Sequence, residues 1–120
     1  MRAKVEEINN EVFNLDCPFI SAFQFTKYEQ TGHFDWHVDL HIPPVESMDR
    51  KLSIVIQLSE SYEYEGGDMQ LDVHGHPAPN ELRQRGTLIV FPSFLRHRVS
   101  AVKKGTRYSL VGWYLGPYLR

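Results

Sequence analysis

His37 and Asp39 stand two residues apart in Phe34-Asp35-Trp36-His37-Val38-Asp39, a stretch in which apolar and polar residues alternate. On a strand that spacing sends both side chains from one face of the sheet. An imidazole and a carboxylate on one face are two thirds of a two-His-one-carboxylate facial triad, the donor set that leaves non-haem Fe(II) with open positions. The third ligand has to come from a distant strand, and His97 in Phe91-Pro92-Ser93-Phe94-Leu95-Arg96-His97-Arg98-Val99 offers it. Ten residues further on, Arg107 alternates with Ser109, which places a guanidinium fork beside a hydroxyl on one strand face. That pair suits a carboxylate. A lone His-x-Asp is more often a solvated strand face; the positions of His97 and Arg107 downstream make the chemical reading the stronger one.

The chain that must position these residues has 120 amino acids, which predicts one domain over 1–120 with a single core. A formal charge of -2 and scattered basic residues give no footprint for nucleic acid. Cys17 is the single cysteine, so no internal disulfide can form, and a reducing, cytoplasmic setting is expected. No apolar run approaches the length of a membrane span, and the charged start Met1-Arg2-Ala3-Lys4-Val5-Glu6-Glu7 lacks the apolar stretch of a signal peptide.

Val5, Ile8 and Val12 predict one short amphipathic helix within residues 2–13, ended by Pro18. The rest reads as strand. Residues 23–28 and 33–39 alternate around Gly32 like a hairpin, residues 41–50 with Pro43-Pro44 read as a loop, and Leu52–Leu58 is apolar enough for a central strand. Further strands are expected at 69–73, 87–91, 97–102 and 107–114, with the Glu60, Glu63, Glu65 cluster as a solvated loop. Seven or eight short strands after one helix predict an all-β double-stranded β-helix, or jelly roll. Such a fold gathers remote strands at one open end, which is how residues 37, 39 and 97 can meet. Trp36 and Trp113 are expected as core or pocket wall, and Arg96 and Arg98 should project opposite to His97. His74-Gly75-His76 reads as a solvated loop more than as a second metal site.

In order and spacing these pieces resemble the Fe(II)- and 2-oxoglutarate-dependent oxygenases of the prolyl hydroxylase-like group. The resemblance runs from Tyr28 through His37-Val38-Asp39, Tyr64-Glu65-Gly66-Gly67-Asp68, Gly86-Thr87-Leu88-Ile89-Val90-Phe91-Pro92 and Arg96-His97-Arg98 to Gly105-Thr106-Arg107-Tyr108-Ser109. It implies that His37, Asp39 and His97 bind iron, that Arg107 holds the distal carboxylate of 2-oxoglutarate, and that Tyr28 lies near that cosubstrate. Where some animal prolyl hydroxylases have a second cosubstrate-binding tyrosine, this chain has Gln57, which can still hydrogen-bond.

The expected activity is hydroxylation of an unactivated C–H bond, in a prolyl or other amino-acid residue or a small molecule, using Fe(II), 2-oxoglutarate and O2 and releasing succinate. Arg107 with Ser109 argues against a cupin-like dioxygenase that uses no 2-oxo acid. Intact ligand positions argue against a non-enzymatic jelly-roll binding module. Because one short helix leaves much of a sheet uncovered, the chain is expected either to form a homodimer or to carry a polar outer face.

Overall fold

The structure, a computed structural model, describes residues 2–40, 48–72 and 80–117. His41 with most of the expected Pro43-Pro44 loop, the His74 and His76 loop, and the aromatic carboxyl terminus at Tyr118 lie outside the described residues. After α1 (Arg2–Ile8) the described residues form the strands β1 (Phe19–Ile20), β2 (Gln24–Tyr28), β3 (Phe34–His37), β4 (Met48–Gln57), β5 (Tyr64–Gly66), β6 (Met69–Leu71), β7 (Leu88–Pro92), β8 (His97–Val99), β9 (Val102–Gly105) and β10 (Arg107–Pro117). The all-β architecture with a single short amino-terminal helix is the one expected. Among the described residues no helix is long and apolar enough to cross a membrane.

All pairings are antiparallel. The major sheet runs β1-β10-β4-β7, with β2 also paired to β10; the minor sheet runs β3-β8-β6, and β5 pairs with β9. Residues 23–39 are therefore not a hairpin. β2 belongs to the major sheet and β3 to the minor one, so the chain changes sheets at Gly32. Alternation identifies strands but not their partners: the turn is tied instead to β9, through Thr31 N–H to Val102 O (2.9 Å) and Val102 N–H to Gly32 O (3.0 Å). Three other expectations change. β4 begins at Met48, inside the expected 41–50 loop; Tyr64–Gly66 is a strand whose Glu65 is exposed; and residues 97–102 divide between β8 and β9.

Two apolar layers hold the sheets. Between them lie Val55, Ile89 and Phe91 of the major sheet and Met69 of the minor one. On the outer face of the major sheet, Leu52, Ile54 and Tyr114 pack with Val5 and Cys17, and Phe13 and Leu15 close over them. Each buried side chain of this kind contributes about 1.5–3 kcal/mol. The amino-terminal segment covers more than its length promised, because a π-helical turn over Asn9–Phe13 and left-handed Asn14 (φ 49°) fold it back onto the sheet. Asn9 stitches that return, accepting from Leu15 N–H (3.0 Å) and donating to Leu15 O (2.9 Å). The wider turn also rotates Val12 off the apolar face, leaving it 67% exposed. The outer face is not polar, however: Phe25 stays 64% exposed, 5.4 Å from the ring of Tyr108.

Gly105 joins β9 to β10 at φ +79°, and a Cβ there would sit 2.0 Å from Glu63 O. Gly105→Ala is expected to lower stability by about 1–3 kcal/mol. Because Arg107 is two residues on, the same change should also disturb the start of β10; a thermal melt indistinguishable from wild type would show that the turn tolerates a side chain.

Candidate metal centre

β3 and β8 pair so that His37 faces His97 directly, with ring centroids 4.1 Å apart. Asp39 is not on the strand. β3 ends at His37, and Asp39 lies in the bend that follows, held there by its N–H donating to Ser93 O (2.9 Å). The three ligand-type atoms still converge, all within 4.8 Å of one another. Asp39 Oδ1 is 3.4 Å from Nε2 of His37 and 3.4 Å from Nε2 of His97.

The atoms facing away from this convergence are occupied. His37 Nδ1 lies 2.6 Å from Asp35 O and His97 Nδ1 3.0 Å from Leu95 O. A carbonyl only accepts, so each Nδ1 carries a proton, and a neutral ring is left with its Nε2 lone pair facing the convergence, the tautomer a metal needs; without a metal, the protonated ring of His97 donates from Nε2 to Asp39 instead. Asp39 Oδ2 accepts from Ser53 Oγ (2.5 Å) and from Trp113 Nε1 (3.0 Å), and Ser53 Oγ in turn is 2.9 Å from Ser93 Oγ. Burial alone would raise the Asp39 carboxyl; hydrogen bonds from His97, Ser53 and Trp113 outweigh it and hold the group at about 2. For His97 burial works downward, but the hydrogen bond and charge of Asp39 and the Leu95 carbonyl leave it above its ordinary value.

The triad opens on a cavity of about 460 Å³ that Arg107, Ser109, Val111 and Trp113 of β10 line from one side. Arg107 is 1% exposed, and its Nε and Nη2 have no hydrogen-bond partner among the described residues. Its guanidinium carbon lies 5.3 Å from the ring of Tyr28, which shares the cavity wall. Burial lowers the Arg107 guanidinium from its usual value, and the phenols of Tyr64 and Tyr28 work against this. A cation buried with unmet donors costs several kcal/mol unless an anion joins it.

Ser109 lines the same cavity, yet its proton is already committed. Thr26 Oγ1–H donates to Ser109 O (3.1 Å), so the close contact between the two hydroxyls leaves Ser109 as donor to Thr26. Ser109 can serve a carboxylate only by releasing Thr26. Gln57 is not brought to the cavity at all. It lies in register with Ser109, but its Nε2 donates to Leu82 O (2.7 Å), bracing the chain before β7. Trp113 is pocket wall as expected, whereas Trp36 lies on the other side of β3 from His37, 5.2 Å from Arg96 and 4.8 Å from Arg98. Those two arginines do project opposite to His97.

Ser53, Ser93, Thr26 and Arg50 were not singled out from the sequence. Ser53 had a signal: it is a hydroxyl inside the otherwise apolar Leu52–Ile56 run. Arg50 had none, since its place at the cavity, 3.8 Å from the Trp113 ring, depends on where β4 begins.

Residues 23–115 match the sequence model of the 2OG-Fe(II) oxygenase superfamily, and the chain belongs to that family. Its cofactors are Fe(II), 2-oxoglutarate and O2, and the donor set of two Nε2 atoms and one carboxylate oxygen fits such an iron. A PKHD-type hydroxylase of Synechococcus sp. is 36% identical over 94 residues, which are 78% of this chain and 41% of that protein. The chain thus spans about two fifths of the length of the curated relatives it matches. A Pseudomonas putida prolyl-4-hydroxylase superposes with a TM-score of 0.75 at 22% identity, covering 96% of this chain and 63% of that one, a likeness of fold. A 2OG-Fe(II) oxygenase family oxidoreductase from Burkholderia pseudomallei gives a TM-score of 0.66 at 26% identity, covering 90% and 50%. These neighbours agree with the jelly roll expected from the strand pattern.

The two shifted groups set an acid and a base limit for the metal-free protein. Asp39 is depressed from 3.8 to about 2, so its contribution is complete above the ordinary carboxylate range and is lost as pH falls from there through about 2. His97 is raised, so its contribution is complete below 6.5 and is lost as pH rises through the folded value. With chelator present, Asp39→Asn should flatten both limbs of the stability–pH curve, removing about 2 kcal/mol at most from the acid limb. Unchanged acid and base limbs in Asp39→Asn would contradict the coupling.

Proposed function

We propose that this chain carries the catalytic core of an Fe(II)- and 2-oxoglutarate-dependent hydroxylase acting on an unactivated C–H bond. The observation that carries the reading is Arg107, a buried guanidinium with unmet donors in the same cavity as the His37, Asp39 and His97 cluster. His37, Asp39 and His97 would hold the iron. Arg107 would take the distal carboxylate of 2-oxoglutarate in a charge-assisted pair, with the Tyr28 ring fixing the guanidinium from one side. Iron with 2-oxoglutarate and O2 supplies the oxidant, with CO2 and succinate as the co-products.

The chain's own residues orient and shield. The Nδ1 hydrogen bonds of both histidines fix which ring nitrogen faces the metal, and Phe91, edge-on to His97 at 4.7 Å, keeps one flank apolar. Trp113 both anchors Asp39 and forms cavity wall, so the substrate side and the metal side share one rigid ring.

The proposed substrate class is a peptide or small molecule with a prolyl or other amino-acid carbon as target. The name of the Pseudomonas putida neighbour and the hydroxylase names of the relatives support it. Arg50, its guanidinium carbon 3.8 Å from the Trp113 ring at the cavity wall, supplies a second polar contact for that substrate. A cytoplasmic setting goes with this reading, supported by the unpaired Cys17. So does a homodimer burying Phe25 and Phe19, the latter 55% exposed; a sedimentation mass of one chain at micromolar concentration would count against it.

Purified protein given Fe(II) and 2-oxoglutarate in air should form succinate slowly without prime substrate, and His37→Ala, Asp39→Ala and His97→Ala should abolish it. Arg107→Ala should weaken 2-oxoglutarate by roughly two to four powers of ten while leaving iron affinity intact. Arg107→Lys should recover only part of this, because an ammonium cannot form the fork. Full turnover in any triad variant, or unchanged cosubstrate affinity in Arg107→Ala, would sink the assignment.

A further inference from the structure

We infer that Ser53 and Ser93 are positioning residues that make Asp39 a one-oxygen ligand and thereby preserve the position dioxygen needs; this rests on the metal-site reading above. A carboxylate can bind a metal through one oxygen or both. In Asp39 the two oxygens are treated differently: Oδ1 faces the two histidine Nε2 atoms, while Oδ2 is turned onto Ser53 Oγ and Trp113 Nε1.

The direction of every bond in this arrangement can be assigned. A carboxylate only accepts, so the Ser53 proton is committed to Asp39 Oδ2. Ser53 then has only lone pairs for its neighbour, and Ser93 Oγ–H must donate to it across 2.9 Å. Asp39 N–H donates to Ser93 O at 2.9 Å, which closes a ring from the Asp39 backbone through Ser93 and Ser53 to the Asp39 side chain. Ser93 N–H is itself anchored on Lys51 O at 2.9 Å. Both serines are 0% exposed, so no water replaces a broken link. Turning Oδ2 toward the metal therefore breaks two charge-assisted bonds together and strands a buried hydroxyl.

The coordination count gives the consequence. Two imidazoles and one carboxylate oxygen leave three of six positions; a second carboxylate oxygen leaves two, and a chelating 2-oxo acid takes both. The hydroxyl pair thus separates an enzyme that can admit O2 from one that binds its cosubstrate and stalls.

Mn(II) is the probe, read by the water-proton relaxation rate per bound ion, which counts exchangeable metal-bound waters. Ser53→Ala should lower it by about one third, as three open positions become two. Ser93→Ala, which leaves Ser53 in place but removes its donor, should shift it the same way and serves if Ser53→Ala does not fold. Ser53→Thr, which keeps the hydroxyl, should hold the wild-type value, a rescue that mere loss of packing would not show. Wild-type relaxation in both alanine variants, with Mn(II) bound, overturns the role of the pair and leaves the metal site standing. Failure of the wild-type chain to bind Mn(II) overturns the metal site and the role of the pair with it.

Discussion

A guanidinium held 1% exposed with Nε and Nη2 unmet is the feature on which the rest of this structure turns. Removing Arg107 from water is unfavourable by several kcal/mol, and no carboxylate of the described chain lies within ion-pair distance of it. The fold nonetheless commits its longest strand to the arrangement. β10 carries Arg107 at one end and Trp113 further along, and it pairs with β1, β2 and β4. Such an outlay of stability makes sense where an anionic ligand completes the site, and the same strand face leads directly to Asp39 through the Trp113 indole.

The site is a seam between two sheets. His37 and His97 come from the minor sheet, Arg107 and Trp113 from the major one, and Asp39 from the bend between β3 and the chain that returns into β4. Asp39 is therefore the element that ties one wall to the other: its backbone bonds to the Ser93 turn and its side chain to Ser53 and Trp113. The carboxylate that would serve a metal is also a structural crosslink. This accounts for the depression of its carboxyl to about 2 despite heavy burial, since the hydrogen bonds that orient it also stabilise its charge.

Much of this is legible in the sequence alone. Ligand residue types and spacing, the Arg107 position and the strand-rich pattern are local properties, and alternation reports them directly. Partnership is not local. The hairpin expected across Gly32 failed because two alternating segments can serve different sheets, and Asp39 lies off the strand because the Ser93 carbonyl, more than fifty residues away, claims its N–H. Gln57 sits in the right row but turns to Leu82, a choice of rotamer that no spacing encodes. The Ser53–Ser93 pair stayed hidden for the same reason: two serines forty residues apart become one unit only when β4 and the turn after β7 are packed together.

The direct test of the central claim is whether 2-oxoglutarate binding depends on metal. Titration calorimetry of 2-oxoglutarate into the Mn(II)-loaded chain under anaerobic conditions, against the chelator-treated chain, separates the two contacts of one ligand. The account predicts saturable one-to-one binding with Mn(II) and much weaker binding without it, because Arg107 alone holds only one end of the molecule. Equal affinity in both states, or no binding in either, would contradict it.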